Sequence, residues 1–100
     1  MRVTFRTRKL EKLFASGNAA RRAYGDHVAK RHVQRVHMLR AARDVHEAAR
    51  LPGLNTHPLK GNRDGQWAII LTGFHRLIFR VLDDAGEVIE FEEVSKHYDD

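Results

Sequence analysis

With 100 residues, 18 Lys/Arg against 13 Asp/Glu and no cysteine, the chain can build one modest core and is excluded from disulfide scaffolds, thiolate metal sites and Cys nucleophiles. No long uncharged apolar run and no basic-then-apolar start is present, so neither a membrane helix nor a signal peptide is predicted, and residues 1–100 are expected to form a single soluble, cytoplasmic domain with no membrane association. The charge is segregated, fifteen Lys/Arg against four Asp/Glu in residues 1–63 and three against nine in residues 64–100; this favours a polyanionic partner such as RNA, although a solvated helix with Arg and Lys on its wet face would look the same.

Arg2 to Arg6 reads as a short strand, with Val3 and Phe5 on one face at the period of two that a half-buried strand requires. From Thr7 the spacing of Leu10, Leu13 and Phe14 predicts a helix, with Gly17-Asn18 as its stop. A longer helix follows. In it Val28, Val33, Val36, Leu39 and Ala42 approximate an apolar stripe, and Arg31, Arg35, Arg40 and Arg43 fill other faces. Asp44, with Glu47 three residues on, is an N-cap signal for a short helix that ends before Leu51-Pro52-Gly53.

Beyond that point the period changes from helical to alternating. Trp67, Ile69 and Leu71 alternate with Ala68 and Ile70, Gly73 marks a turn, and Leu77, Phe79 and Val81 alternate with Ile78 and Arg80. After a turn at Asp83 to Gly86, Val88 to Val94 is a third strand in which Ile89 and Phe91 share a face with Glu93, and the tail Ser95 to Asp100 is expected to leave the sheet edge. The sum is an α+β domain: an N-terminal strand and two helices packed on an antiparallel sheet completed by a C-terminal three-stranded meander. The sheet face away from the helices, beside the loop from Leu54 to Gly65, is where polar groups can gather.

Three constellations offer chemistry. The loop His57-Pro58-Leu59-Lys60-Gly61-Asn62-Arg63 places an imidazole suited to proton transfer near neutral pH beside two cations able to neutralise phosphate oxygens; a plain solvated turn is the alternative. Arg76 and Arg80 lie on one side of one strand, where each needs either a glutamate partner, Glu90 or Glu92, or an anion. Arg76, next to the turn, is the candidate phosphate contact and Arg80 the candidate ion-pair partner. In the tail, Lys96-His97-Tyr98 supplies a further cation, a titratable ring and a phenol that can stack on a base or donate a proton. His27, His32, His37 and His46 are five, five and nine residues apart, which is not a chelating helical spacing, so they are read as polar-face or partner-contact residues and no metal is expected. Phosphate-binding, dinucleotide-binding, nucleophile-elbow and zinc-protease motifs do not occur.

Taken together, Phe5-Arg6-Thr7-Arg8-Lys9-Leu10-Glu11-Lys12-Leu13-Phe14, Leu51-Pro52-Gly53, the run from His57 to Trp67 and His75-Arg76-Leu77-Ile78-Phe79-Arg80 resemble the RelE/ParE superfamily, and within it the HigB-like "plasmid maintenance killer" toxins. The resemblance implies a RelE-like fold and a toxin of a type II toxin–antitoxin system. It further implies ribosome-dependent, cofactor-free and metal-independent cleavage of mRNA by 2′-hydroxyl attack, inhibition by a cognate antitoxin, often helix-turn-helix and HigA-like, and contact with operator DNA only through that antitoxin. Carried over by position, His57 and Lys60 match the loop His and Lys, and Arg76 matches the strand arginine on the scissile phosphate; His97 and Tyr98 take the terminal roles in proton transfer and stacking. Arg63, Arg80 and Lys96 would bind RNA. The position before the strand arginine, commonly Trp in the family, is His75 here, and the end reads Val94-Ser95-Lys96-His97-Tyr98 where HigB-like toxins often close with Asp-Tyr-His.

Two other classes fit the same chain. One is a non-nuclease toxin of this fold, either a ParE-like DNA gyrase inhibitor or a degenerate member acting only as an antitoxin-bound corepressor. The other is a basic RNA- or ribosome-binding domain whose histidines are incidental, which predicts salt-sensitive binding without cleavage. For the antitoxin, apolar residues of the helices such as Val28 or Leu39 are the expected seat, provided that the sheet does not bury them.

Overall fold

The computed structural model describes residues 1–15, 17–63 and 65–96. In chain order the elements are β1 (Arg2–Phe5), α1 (Arg8–Ala15), α2 (Gly17–Tyr24), α3 (Asp26–Ala41), α4 (Val45–Ala49), β2 (His57–Pro58), a 3-10 turn (Gly61–Arg63), β3 (Gln66–Ile70), β4 (His75–Val81) and β5 (Val88–Lys96). The strands make one sheet in the order β1-β5-β4-β3-β2, which is the α+β arrangement expected. Its β3-β4-β5 meander is antiparallel, but β1 lies parallel to β5, with Val3 opposite Ile89 and Phe5 opposite Phe91, so the sheet is mixed rather than antiparallel throughout. The first strand therefore pairs with the last. No helix among the described residues is long and apolar enough to cross a membrane.

One sheet face is apolar and carries the helices. Ile69, Leu77, Phe79, Ile89 and Phe91 meet Val28, Val36, Leu39, Ala42, Val45 and Ala48 in a single core, to which Phe5 adds a stacked contact with Phe14 of α1 and a tilted one with Phe91. Val28 and Leu39, 5% and 0% exposed, are fully committed to this core and cannot seat a partner segment. The buried stripe of α3 also differs from the sequence reading. It runs through Val28, His32, Arg35, Val36 and Leu39, leaving Val33 half-buried, so His32 and Arg35 point inward rather than to a polar face. Arg35 donates from Nε to the Ile70 carbonyl (3.4 Å) and from Nη1 to Gln34 Oε1 (2.9 Å), tying α3 to the end of β3. Desolvation and then Arg31 lower its pKa, but a guanidinium stays charged.

The first helix, α1, ends at Ala15, before the expected stop at Gly17-Asn18, but the same two residues open an additional helix, α2, because Ala19, Ala20, Arg21, Arg22 and Ala23 are strong helix formers. The break comes at Gly25. Its φ of 87° is a left-handed value open to glycine, and its N–H closes α2 on the Arg21 carbonyl (2.8 Å) before α3 begins. The α4 cap is as expected: Asp44 accepts from the Glu47 N–H (2.9 Å), which with Arg43 holds its carboxyl below the usual range. Val45 N–H then donates to the Gly86 carbonyl (2.8 Å), docking α4 on the β4–β5 turn, where a Cβ on Gly86 would lie 2.8 Å from the Val45 side chain.

The β4–β5 register shifts between Ile78 and Phe79. Ile78 faces Glu93, Phe79 faces Phe91, and Glu92 is the extra residue of a β-bulge. Glu93 thus falls on the face opposite to Ile89 and Phe91, contrary to simple alternation, while Val94 returns to the core side opposite Leu77.

Candidate active site

The sheet face turned away from the helices is built by the residues that alternate with the core. Three rows cross it: Gln66, Arg80 and Glu90; then His57, Ala68, Ile78 and Glu93; then Ile70, Arg76 and Ser95. Leu59 folds over Ala68 and Ile78 in a small second cluster, fixed by its N–H on the Gln66 carbonyl (2.8 Å), so the centre of this face is apolar and its margins are polar.

His57 stands at one margin. Asn55, at φ 48°, turns the chain so that its carbonyl sits 2.6 Å from His57 Nδ1. A carbonyl oxygen only accepts, so Nδ1 carries the proton and the lone pair of the neutral ring is on Nε2. Arg76 is two strands and two residues away on the same face, roughly 12 Å between α-carbons from strand spacing and rise. The guanidinium of Arg76 is folded back on the β3–β4 turn, Nη1 donating to the carbonyls of Thr72 (3.2 Å) and His75 (3.4 Å). Lys60, exposed, follows Leu59 at the rim.

The other sequence candidates are placed differently. Arg80 donates from Nε to Glu92 Oε1 at 2.8 Å, as an ion-pair partner was expected to do, and Arg6 approaches the same carboxylate at 3.7 Å. Gln66 Nε2 also donates to Glu92 Oε1 (2.9 Å). Arg63 donates to Glu93 Oε1 (3.1 Å) and to Gln66 Oε1 (3.3 Å). The bulge explains this hub, since it turns two successive glutamates onto the open face. Lys96 pairs with His75 across the β4–β5 ladder rather than with Arg76, and its charge helps lower the pKa of His75. His97 and Tyr98 lie outside the described residues.

Sequence reading missed Thr72, Tyr24 and the involvement of Arg6. Thr72 Oγ1 gathers the N–H groups of Phe74 and His75 (both 3.2 Å) and lies 3.0 Å from His75 Nδ1. Tyr24, at the end of α2, meets His75 edge-on at 6.4 Å between ring centroids. Burial and then Glu93 raise the Tyr24 pKa, which keeps the phenol neutral. A threonine between Leu71 and Gly73 could have been read as a turn-organising hydroxyl; nothing local in the sequence joins Tyr24 to a strand some fifty positions later.

No protein-family model matches the sequence, and no curated protein matches it. Solved structures match over nearly its whole length. The YoeB/ParE toxin from Agrobacterium tumefaciens superposes with a TM-score of 0.58 at 22% identity, covering 98% of this chain and 100% of that one. The YoeB–YefM complex from Staphylococcus aureus gives 0.63 at 19% identity, with 98% of each chain covered. A mutant of YafQ from E. coli gives 0.58 at 17% identity, covering 97% and 94%. At these identities the likeness is one of architecture, and the chain has the RelE-like fold of these toxins.

Proposed function

We propose that this chain is the toxin of a type II toxin–antitoxin system, of the HigB-like branch, and that it cleaves mRNA on the ribosome without a metal. The observation that carries the reading is the placement of Arg76 and His57 on one open sheet face, within a fold shared with YoeB/ParE and YafQ toxins. Arg76 and Lys60 hold the scissile phosphate and stabilise the negative charge of the phosphorane. His57 Nε2 takes the 2′-hydroxyl proton as the O2′–P bond forms, and His97 or Tyr98 returns a proton to the 5′-oxygen as the P–O5′ bond breaks. A 2′,3′-cyclic phosphate and a 5′-hydroxyl end result. Arg63, Arg80 and Lys96 are secondary RNA contacts, the first two only by exchanging glutamate for phosphate. The Staphylococcus structure is of YoeB with YefM; by analogy a cognate antitoxin, HigA-like on this reading, inhibits the present chain and carries it to operator DNA.

The test is induction in a bacterium with mapping of new 5′ ends in translated mRNA, with and without a drug that blocks the ribosome. Codon-phased cuts that vanish with the drug are expected. Arg76→Ala should lower cleavage by about 10²–10³-fold, because the guanidinium stabilises the charge that develops in the transition state. The pairing of Arg63 with Glu93 and Arg80 with Glu92 favours a second reading, a non-cleaving toxin such as a gyrase inhibitor, since it neutralises two cations that RNA would use. Growth arrest without cuts would establish that reading instead.

A further inference from the structure

The turn between β3 and β4 is organised around one hydroxyl. A threonine hydroxyl has two acceptor lone pairs and one proton. The lone pairs of Thr72 Oγ1 receive the N–H groups of Phe74 and His75. Its proton is then directed to the remaining neighbour, His75 Nδ1, 3.0 Å away. That assignment fixes the tautomer: Nδ1 accepts, and the neutral ring of His75 carries its proton on Nε2. The same turn presents Arg76, because the two carbonyls that receive Arg76 Nη1 belong to Thr72 and His75. The His75 carbonyl is itself fixed by the N–H groups of Leu71 (3.0 Å) and Thr72 (3.3 Å).

We propose that Thr72 and His75 are positioning residues for Arg76: the Thr72 hydroxyl, donating to a neutral His75, locks the β3–β4 turn whose carbonyls hold the guanidinium at the turn end of the open sheet face. This deepens the ribonuclease reading and rests on it for its effect on cleavage, while the lock itself is a property of the turn. An imidazolium would break the lock, since a protonated Nδ1 can no longer accept the threonine proton and the hydroxyl has no lone pair left for a third donor. The groups facing His75 act against that charge. Tyr24 from α2 covers one edge of the ring as a neutral phenol, Lys96 from β5 is its ladder partner, and Arg76 follows it on β4. Burial and then Lys96 lower the His75 pKa from its ordinary 6.5, so the accepting form prevails at neutral pH.

The experiment compares the wild-type protein with Thr72→Val, which removes the hydroxyl at constant shape, and Thr72→Ser, which restores it. Nitrogen-detected NMR should show His75 in the Nε2–H tautomer in the wild type and in Thr72→Ser, with restricted rotation of the Arg76 guanidinium; in Thr72→Val that rotation should quicken. Cleavage on ribosomes should fall roughly tenfold to a hundredfold in Thr72→Val and recover in Thr72→Ser, the scale expected when a phosphate-binding group is misplaced by about 1 Å. An Nδ1–H tautomer, or equal Arg76 dynamics in Thr72→Val and wild type, overturns the proposal. Absence of cleavage by the wild type overturns the ribonuclease reading alone, because the NMR comparison still decides whether Thr72 and His75 hold Arg76.

Discussion

His32 is a polar ring in an apolar place. It is 3% exposed, meets Phe14 edge-on at 6.4 Å, and among the described residues neither ring nitrogen has a hydrogen-bond partner. Burial pushes its pKa down to about 4. The unfolded chain protonates this histidine near 6.5 and the folded chain does not, so between those values the unfolded state binds more protons and stability rises with pH. The contribution is complete above 6.5 and is lost as the pH falls toward 4, by roughly 3 kcal/mol in all. His32→Leu should remove this dependence and raise stability at neutral pH by about 1–3 kcal/mol, because the unsatisfied polar atoms disappear while the packing volume is kept. Urea unfolding at a series of pH values, followed by the fluorescence of Trp67, measures both. The difference between variant and wild type isolates His32 from the other acid-sensitive groups, His75 and Asp44, and parallel profiles would refute the assignment.

At the scale of elements, the β5 bulge decides the character of the open face. Glu92 accepts from Arg80 and Gln66 and lies close to Arg6, and its side chain is 9% exposed. Glu92→Ala should therefore cost about 1–2 kcal/mol, since Gln66 and Arg80 lose their acceptor while water can still reach the guanidinium, whose side chain is 44% exposed. Chemical denaturation should show the loss, and Glu92→Gln, which keeps an acceptor, should recover part of it. The elements themselves were largely legible in the sequence: both hairpin turns, the three long strands, the α4 cap and the helix of Val36 and Leu39 follow from period and turn chemistry. What was not legible depends on distant contacts. The parallel pairing of β1 with β5 leaves no local mark, and the two residues of β2 are a strand only because β3 lies beside them. The bulge is invisible because Phe91-Glu92-Glu93-Val94 alternates imperfectly whether or not an extra residue is inserted.

For the whole molecule, the charge asymmetry read along the chain becomes an asymmetry between layers. The exposed cations of residues 8–50 other than Arg43 and Arg50 lie on the helices, whereas on the open face Arg6, Arg63 and Arg80 are met by Glu92 and Glu93. Of the candidate site, the position of Arg76 and Arg80 on one side of one strand and the ion pair of Arg80 were legible in the sequence, because strand parity is local. The pairing of Lys96 with His75 was not, because it depends on register. This separation has a measurable consequence. Among the described residues, Lys9, Lys12 and Arg22 border one groove between α1 and α2 with no acidic side chain lining it, so a polyanion seated there would have three phosphates neutralised and the counterions condensed on them released. Binding to ribosomes or to structured RNA should weaken linearly in log–log terms with salt. Replacing Lys9, Lys12 and Arg22 by Gln should reduce that slope by about 3, near 1 for each phosphate no longer neutralised, whereas Arg76→Ala should change it by about 1 or less and act on cleavage instead. If Arg76→Ala flattened the salt dependence as much as the triple replacement does, the polyanion would be gripped by the open face, and the helical cations would be only a solvated surface.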